Sequence, residues 1–276
     1  MVDLGGRVLV VIGAGGMGEA VARRLGPGRI VVLADIGPQT LERAGQVLAD
    51  EGLTVVPHLV DVTSADSVRD LVSTAQRAGE VAYVVHTAGL SPMQAPVEAI
   101  LKVDLLGVAL TLDAFEQVIA PGGAGVVIAS MAGYLAAALT PEQEHLLAST
   151  PAGQLLRLPF LTAEAVTDPG AAYGIAKRAN QLRVRAASVA WGRRGARINS
   201  ISPGVIATPM GRQELAGQAG QQMRAMIGMS AAQRLGTPGD IAAATAFLLS
   251  PDASFITGTD ILIDGGVVAA VRTAGA

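Results

Sequence analysis

The chain of 276 residues contains no cysteine, which excludes both a disulfide framework and a thiolate metal site. This absence is compatible with a reducing compartment, and we expect a cytoplasmic protein. The three histidines, His58, His86 and His145, do not have the spacing of metal ligands. The sequence therefore predicts no metal site.

Long apolar runs and an excess of positive charge are also missing. The formal net charge is −3 and the pI is about 5.6, so no basic surface for nucleic acid or for an anionic membrane is expected. Nowhere do about 18 apolar residues occur together, and the early apolar run at 8–12 is too short for the core of a signal peptide. We expect neither nucleic acid nor membrane as a partner, and a small-molecule ligand is favoured.

Aromatic residues are scarce at 3%, although hydrophobic residues make up 50% of the chain. The core must therefore be built from Ala, Val, Leu and Ile, with abundant glycine around it. A chain of this composition is expected to bury further surface as a homo-dimer or homo-tetramer. Its length fits one α/β domain over residues 1–276.

Short β-branched runs alternate with longer segments of helical period. Continuous apolar runs separated by helices indicate parallel strands that are covered on both faces. The sequence thus predicts an α/β protein with a Rossmann-type doubly wound parallel sheet of about seven strands. The predicted strands cover 7–12, 29–34, 54–60, 81–86, 125–129, 197–201 and 260–263.

Tyr173 and Lys177 form the most informative pair, because the chain has three tyrosines and only two lysines. Residues four apart lie on one face of a helix, so the phenol and the ammonium would share the same space. A nearby cation lowers the pKa of a phenol from its usual value near ~10, which suits general acid/base catalysis. The alternative is a solvated Tyr beside a surface Lys.

A glycine-rich loop follows the first predicted strand and precedes a helical segment. Its G-x-G-x-x-G pattern permits a tight turn and a pyrophosphate on the helix N-terminus; the loop comprises Gly13, Gly15, Gly16, Met17 and Gly18. Asp35 ends the second predicted strand, where a carboxylate accepts hydrogen bonds from ribose and repels a 2′-phosphate. NAD is therefore predicted in preference to NADP. Alternatively, Asp35 caps the helix that starts near Pro38.

Two segments depart from the strand and helix alternation. In the segment at about 136–169, Thr140, Pro141 and Gln143 predict a capped helix start, and Pro151 suggests a second helix. The segment at about 208–233 carries four methionines among Gly and Gln residues. Flexible thioethers suit a substrate lid, although plain core packing is the alternative.

Taken together, these motifs resemble the short-chain dehydrogenase/reductase family over nearly the whole chain. Further matches stand at strand ends and near the C-terminus; they are Asp61-Val62, Thr87-Ala88-Gly89, Ser130-Met131-Ala132-Gly133, the stretch Asn199 to Thr208, Arg234 to Pro238, and Ile256 to Gly266. By this resemblance, Asp61 and Val62 flank the adenine, and Ala88 and Gly89 belong to a cofactor turn. Pro203, Gly204, Ile206 and Thr208 lie beside the nicotinamide.

The resemblance implies an NAD-dependent enzyme that interconverts a secondary alcohol and a ketone. Tyr173 would exchange a proton with the substrate oxygen, Lys177 would hold the nicotinamide ribose, and Ser130 would hydrogen-bond the substrate oxygen. Asp104 stands where the family commonly has an active-site Asn, and it would complete a water relay. The cleft walls are expected from Leu90, Met131, Leu135, Val205, Met210 and the segment at 136–169, which favours a mostly apolar alcohol or ketone, steroid-like or terpenoid.

Three departures from the family pattern keep alternatives open. Ile12 replaces the usual Thr before the glycines, Asp104 replaces Asn, and the interval from Ser130 to Tyr173 is unusually long. The long interval is an insertion at 136–169, which would enclose the substrate, alter assembly, or do both. The competing functions are a catalytically silent NAD-binding sensor or scaffold, and an enzyme that catalyses epimerisation or dehydration.

Overall fold

A computed structural model describes residues 6–93, 95–162, 164–217 and 220–274. Its centre is a seven-stranded sheet in the order β3-β2-β1-β4-β5-β6-β7, and all the paired strands run parallel. The chain enters at the middle of the sheet and winds outward in both directions, which confirms the predicted doubly wound sheet. The strands are β1 (Arg7–Ile12), β2 (Ile30–Asp35), β3 (Thr54–Leu59), β4 (Glu80–His86), β5 (Ala124–Ile128), β6 (Arg197–Pro203) and β7 (Asp260–Ile263).

The strand ends differ from the predicted ones by a residue or two. Strand β2 begins one residue later because the Arg29 amide bonds the Gly26 carbonyl in a turn. Asp35 lies inside the strand, opposite Leu59. Strand β6 extends to Pro203, which pairs with Ile263 of β7, so the Pro-Gly motif begins within the sheet.

Helices cover both faces of the sheet, as the continuous burial of Val8 to Ile12 in β1 requires, because successive side chains of a strand point to opposite faces. Val8, Val10 and Ile12 belong to a core with the helices at 65–78, 107–116 and 169–193, whereas Leu9 and Val11 belong to a core with the helices at 16–25, 38–50 and 238–249. The helices are α1 (Gly16–Leu25), α2 (Pro38–Asp50), α3 (Ala65–Ala78), α4 (Val97–Ile100), a π-helical turn (Leu101–Leu106), α5 (Gly107–Glu116), α6 (Ala132–Leu135), α7 (Pro141–Ser149), α8 (Ala152–Leu155), α9 (Pro169–Arg193), α10 (Pro209–Ala216), α11 (Gly220–Met229), α12 (Pro238–Leu249) and α13 (Val267–Ala274), with short 3₁₀ turns at Pro159–Leu161 and Pro251–Ala253.

The segment at 136–169 is helical where the sequence predicts it. Thr140 accepts a hydrogen bond from the Gln143 amide at 3.1 Å, and the Gln143 side chain accepts one from the Thr140 amide at 2.9 Å. This reciprocal capping box, with Pro141 in the first turn, confirms the predicted start of α7. Helix α8 follows directly after Pro151.

This segment packs on the outer face of α9 and forms a third hydrophobic core. Leu147, Leu155 and Leu161 are buried there against alanines of α9. The Arg178 guanidinium of α9 binds the Glu144 carboxylate of α7 at 2.6 Å, and the Arg183 guanidinium donates to the Leu147 and Thr150 carbonyls at the end of α7. The segment is therefore fixed to the helix that carries Tyr173 and Lys177.

Within the described ranges, no helix has the length and apolar character needed to cross a membrane. The same part of the chain contains no group of three or more His, Asp or Glu side chains arranged to hold a metal ion.

Candidate active site

A long groove crosses the carboxyl ends of β1, β2 and β4, and a second, larger cleft continues it toward β5 and β6. The groove has a volume of about 550 Å³ and the cleft about 750 Å³. Most residues predicted to bind the cofactor line the groove: Gly13, Gly15, Gly16, Met17, Asp35, Asp61, Val62, Ala88, Gly89 and Thr208. Pro203, Gly204, Ile206, Ser130 and Tyr173 line the cleft, so the two spaces meet where the predicted nicotinamide and catalytic residues lie.

The glycine loop is shaped by two close backbone approaches. Gly13 has φ +101°, in the left-handed region, and its amide bonds the Ala34 carbonyl at 2.7 Å. A Cβ atom on Gly18 would lie 1.8 Å from the Gly13 carbonyl oxygen, so only glycine permits α1 to start this close to β1. Thr87 follows directly after β4, and its hydroxyl donates to the Gly13 carbonyl at 2.9 Å, which fixes the loop.

Gly15 differs from these two glycines because no close backbone approach surrounds it in the part of the chain that the structure describes. Its φ is −75°, and a Cβ atom there would meet none of the described atoms within 4 Å. Gly15 is the N-cap of α1, and no side chain among the described residues caps this helix start, which presents its first amides and the positive end of the helix dipole to the groove. The open space at Gly15 fits a pyrophosphate, so the groove suits a dinucleotide cofactor.

The substitution Gly15→Ala is therefore expected to weaken dinucleotide binding while leaving the fold intact. The added methyl group occupies the space that a pyrophosphate needs, and we expect a loss of at least about 10-fold in NADH affinity, or ~1.4 kcal/mol. The free energy of unfolding should change by less than about 1 kcal/mol, the size of a cap effect. Fluorescence titration with NADH and chemical denaturation measure the two quantities.

Gly45→Ala in α2 is the matched control, because this glycine also has no neighbour within 4 Å and does not line the groove. It should leave NADH affinity unchanged. Equal affinity of the Gly15→Ala variant and the parent protein would show that no phosphate binds at this helix start.

Asp35 lines the groove and binds two backbone amides beside it. Its Oδ2 atom accepts a hydrogen bond from the Ala14 amide at 2.7 Å, and Oδ1 accepts one from the Gly37 amide at 2.8 Å. The N-cap residue of α2 is Gly37, and Asp35 bonds the amide of Gly37 itself and not an amide in the first turn of the helix. Asp35 thus does not act as the N-cap of α2, and its carboxylate lies on the groove beside the glycine loop.

Ser130 and Tyr173 meet at the opening between groove and cleft. Ser130 follows β5, and its Oγ atom accepts a hydrogen bond from the Ala132 amide at 3.1 Å at the start of α6. Tyr173 lies in the first turns of α9, and its hydroxyl is close enough to Ser130 for the serine to lower the pKa of the phenol. Both side chains reach the cleft, so a carbonyl or hydroxyl oxygen placed there would contact two hydroxyl groups at once.

Lys177 lies one turn further along α9 and is almost completely buried. Its Nζ atom is 2.7 Å from Oδ1 of Asp104 and 5.3 Å from the centre of the Tyr173 ring. Asp104 is fully buried in the π-helical turn, and its Oδ2 atom accepts a hydrogen bond from the Leu90 amide at 3.0 Å. Asp104 therefore forms a direct ion pair with Lys177, where the resemblance implies a relay through water.

This ion pair changes the electrostatics predicted for Tyr173. Burial raises the pKa of Tyr173, the Lys177 ammonium lowers it, and the Asp104 carboxylate raises it again, with a net pKa above the usual value. Burial by itself would lower the pKa of Lys177, but Asp104 and Tyr173 raise it. The lowering of the phenol pKa expected from Lys177 is thus present but is outweighed in the protein without cofactor.

The cleft has mainly apolar walls. Of the residues predicted to line it, Met131, Leu135, Val205 and Met210 do so, whereas Leu90 lines the nucleotide groove instead. The segment at 136–169 contributes a wall, with Leu139, Gln143, Phe160 and Val166 among its lining residues. This segment therefore both borders the cleft and packs on α9.

Sequence reasoning missed one residue and two contacts that shape the site. The missed residue is Glu214 of α10, which lies on the cleft wall. The missed contacts are the hydrogen bond from the Leu90 amide to Asp104 and the hydrogen bond from the Thr87 hydroxyl to the glycine loop. A backbone amide leaves no signal in a sequence. A single Glu in a polar helix looks like a solvated residue until the fold turns it inward.

Comparison with known proteins agrees with this arrangement. Residues 7–141 match the family described as short chain dehydrogenase, and residues 134–268 match the family described as Enoyl-(Acyl carrier protein) reductase. The chain is 44% identical over 263 residues to the short-chain dehydrogenase/reductase bsc3 of Alternaria brassicicola, covering 95% of each. It is 31% identical over 233 residues to the 3-alpha-hydroxysteroid dehydrogenase/carbonyl reductase of Comamonas testosteroni, covering 77% of this chain and 87% of the relative.

A solved structure shows the same fold. A short-chain dehydrogenase/reductase of the glucose/ribitol dehydrogenase type from Brucella melitensis aligns with a TM-score of 0.74 at 26% identity, covering 95% of this chain and 96% of the other. The sequence identity extends over nearly the full length of the chain, and the fold is shared as well. Both findings agree with the order of the motifs along the chain. The chain belongs to the short-chain dehydrogenase/reductase family of oxidoreductases.

Proposed function

We propose that the protein is an NAD-dependent oxidoreductase that interconverts a secondary alcohol and a ketone on a mostly apolar small molecule. The observation that carries this proposal is the meeting of Ser130, Tyr173 and the Lys177–Asp104 pair where the nucleotide groove opens into an apolar cleft. Two hydroxyl groups face one point in the cleft, and a buried ammonium lies behind them. This arrangement suits proton transfer to or from an oxygen atom.

In this mechanism Tyr173 holds the proton that the substrate oxygen gains or loses. A nicotinamide cofactor, when bound, supplies or accepts the hydride. The Ser130 hydroxyl hydrogen-bonds the same substrate oxygen and fixes its position against the Tyr173 hydroxyl. For alcohol oxidation the phenolate form of Tyr173 accepts the proton, and for ketone reduction the phenol donates it.

Lys177 acts on Tyr173 through its charge, because its ammonium lies near the ring and lowers the pKa of the phenol. The Asp104 carboxylate fixes the Lys177 side chain and reduces its effect on the phenol. A second role of Lys177, as a donor to the nicotinamide ribose, follows from the family resemblance. Because Lys177 is buried against Asp104, this role requires the ammonium to bind the Asp104 carboxylate and to donate to the ribose at the same time.

Asp35 supports the choice of NAD over NADP. Its carboxylate lies on the groove at the end of β2, where ribose hydroxyls are bound in dinucleotide folds. Arg43 also reaches the rim of this groove, but its guanidinium lies 3.3 Å from the Glu19 carboxylate. The negative charge of Asp35 would thus repel a 2′-phosphate. The nearby Arg43 guanidinium already pairs with Glu19.

Asp35→Asn should shift cofactor preference toward NADP. Asn keeps an oxygen that accepts one of the two backbone bonds, but it removes the charge that repels a phosphate. Unit charges about 4 Å apart interact by on the order of 1–4 kcal/mol near a protein surface, so the ratio of NADPH to NADH affinity should rise by about 10-fold or more. Parallel titrations with the two reduced cofactors measure this ratio.

Asp61→Asn serves as the control, since Asp61 also lines the groove but, by the family resemblance, flanks the adenine and not the ribose. It should change both affinities in the same proportion. An unchanged ratio in the Asp35→Asn variant would remove the argument for NAD.

The cleft supports an apolar substrate, and the segment at 208–233 supports a lid. Met210, Met223 and Met226 line the cleft from α10 and α11, opposite the walls formed by the segment at 136–169. Flexible thioethers adapt to ring systems of different shape. The relative from Comamonas testosteroni is named for a hydroxysteroid, which agrees with a cleft of this size and character.

A panel of secondary alcohols and ketones tests the proposed function. The wild-type protein is mixed with NAD or NADH and each compound, and the absorbance of the reduced nicotinamide is followed. We expect turnover of apolar cyclic members and little turnover of small polar ones. NAD binding without turnover across the panel would instead indicate the silent sensor or scaffold.

A homo-dimer or homo-tetramer stays a prediction. The family resemblance places a dimer interface on a helix pair near the insertion, and α7 covers part of α9 in this chain. Phe255 is fully exposed, and Phe247 of α12 is nearly half exposed. These two side chains favour an interface on the β7 side of the molecule.

A further inference from the structure

Glu214 is a carboxylate in the wall of a cleft that is otherwise mainly apolar. It lies on α10, one turn beyond Met210, and both side chains line the cleft that contains Ser130 and Tyr173. The carboxyl is partly removed from water, and this burial raises the pKa of Glu214; the nearby Ser91 lowers it, with a net pKa above the usual value. The proposed proton transfer does not use this group.

The position of Glu214 within the cleft is close enough to Tyr173 for their charges to interact. Ser91, in the loop after β4, lies near the carboxylate and favours its charged form. A carboxylate has about four lone-pair sites that accept hydrogen bonds. Because Glu214 lines the cleft, its carboxylate is within reach of a substrate that lies there.

We propose that Glu214 determines specificity by accepting a hydrogen bond from a second donor group on the substrate, a hydroxyl, distant from the oxygen that reacts at Tyr173. This inference rests on the proposed function and names its substrate class: apolar cyclic ketones or alcohols that carry an additional hydroxyl. A buried carboxylate left without a donor costs free energy, so compounds lacking the hydroxyl bind less well. The mainly apolar walls then select the ring system, and Glu214 selects the position of the additional hydroxyl group on it.

A matched series of ketones tests this assignment. The probes are decalone, hydroxydecalones with the hydroxyl at different ring positions, and an aminodecalone, each reduced with NADH by the wild-type protein and by the Glu214→Leu variant. We expect the wild type to prefer at least one hydroxydecalone over decalone in kcat/KM by about 10- to 100-fold, the size of a hydrogen bond to a charged group. Glu214→Leu should lose this preference, and Glu214→Gln should retain part of it.

The ratio between the two ketones isolates the role of Glu214. Glu214 also raises the pKa of Tyr173, so its removal alters the rate with every substrate, but that change cancels in the ratio. Arg212→Leu, on the exposed side of α10, is the control and should leave the ratio unchanged. If Glu214→Leu slows decalone and hydroxydecalone equally, the assignment is overturned.

Calorimetry separates failure of this inference from failure of the proposed function. The Tyr173→Phe protein saturated with NADH is titrated with decalone and with the hydroxydecalones, so binding is measured without chemistry. Tighter binding of a hydroxydecalone that disappears on Glu214→Leu supports the inference even if the wild type reduces no ketone, which would refute only the proposed reaction. Equal binding of all decalones overturns the inference. A preference for the aminodecalone over every hydroxydecalone identifies the donor as an ammonium and refutes the hydroxyl.

Discussion

Replacing Tyr173 by Phe is expected to reduce kcat by about 10²- to 10⁴-fold, the usual contribution of a general acid or base. The substitution removes the hydroxyl that is proposed to exchange a proton with a substrate oxygen, and it keeps the ring that packs beside Lys177. Affinity for NADH should remain within about 2-fold, because the glycine loop and Asp35 are untouched. Steady-state kinetics and fluorescence titration give the two values.

Tyr134→Phe is the matched control for this experiment. Tyr134 is a second tyrosine on the cleft side of the sheet, but its hydroxyl donates to Asp260 at 2.8 Å and does not meet Ser130. Its loss should affect stability more than turnover. Turnover in Tyr173→Phe equal to that of Tyr134→Phe would show that Tyr173 does not transfer the proton.

Replacing Asp104 by Asn is expected to move the pH dependence of alcohol oxidation to lower pH. Oxidation requires the phenolate, so the rate rises as pH passes through the pKa of Tyr173. Asp104 raises that pKa, hence its removal lowers the pKa and moves the rising limb of the profile to lower pH. Glu214 also raises the pKa of Tyr173, and it is unchanged in this variant.

The phenolate absorbance of the protein reports the same shift without substrate or cofactor. The chain has three tyrosines, and burial and Asp260 raise the pKa of Tyr134 to about 12, so Tyr134 titrates late. Subtracting the titration of Tyr173→Phe assigns the Tyr173 transition. A transition that stays in place or moves upward in Asp104→Asn would contradict the effect assigned to the ion pair.

The same substitution should also destabilise the fold by about 3–5 kcal/mol, because it leaves the Lys177 ammonium buried without a counter-charge. Asp104→Asn combined with Lys177→Met removes both charges and should recover most of this loss. The recovery distinguishes an unpaired charge from a packing defect. Chemical denaturation of the single and double variants measures it.

The fold could be predicted from the sequence because its signals are local. Continuous apolar runs indicate buried parallel strands. The Thr140 capping box predicts the first residue of α7 correctly. Strand ends were less well predicted, since the ends of β2 and β6 depend on which residues find partners across the sheet. Asp35 and Pro203 gain such partners only in the folded chain.

The site could be predicted less completely, because its electrostatics depend on contacts between distant segments. The spacing of Tyr173 and Lys177 predicts their proximity, but not the carboxylate 2.7 Å from the ammonium. Asp104 comes from a π-helical turn far earlier in the chain, and only the fold shows that it bonds Lys177 directly. Glu214 likewise has no sequence signal that separates it from a solvated helix residue.

Isotope transfer tests the central claim most directly. A secondary alcohol deuterated at the carbinol carbon, chosen from the compounds that the protein turns over, is incubated with NAD, and deuterium is measured in the nicotinamide ring. Direct hydride transfer predicts deuterium on the nicotinamide in proportion to the ketone formed, with almost none in the Tyr173→Phe variant. Conversion of the alcohol without deuterium on the nicotinamide would contradict the account and indicate epimerisation or dehydration instead.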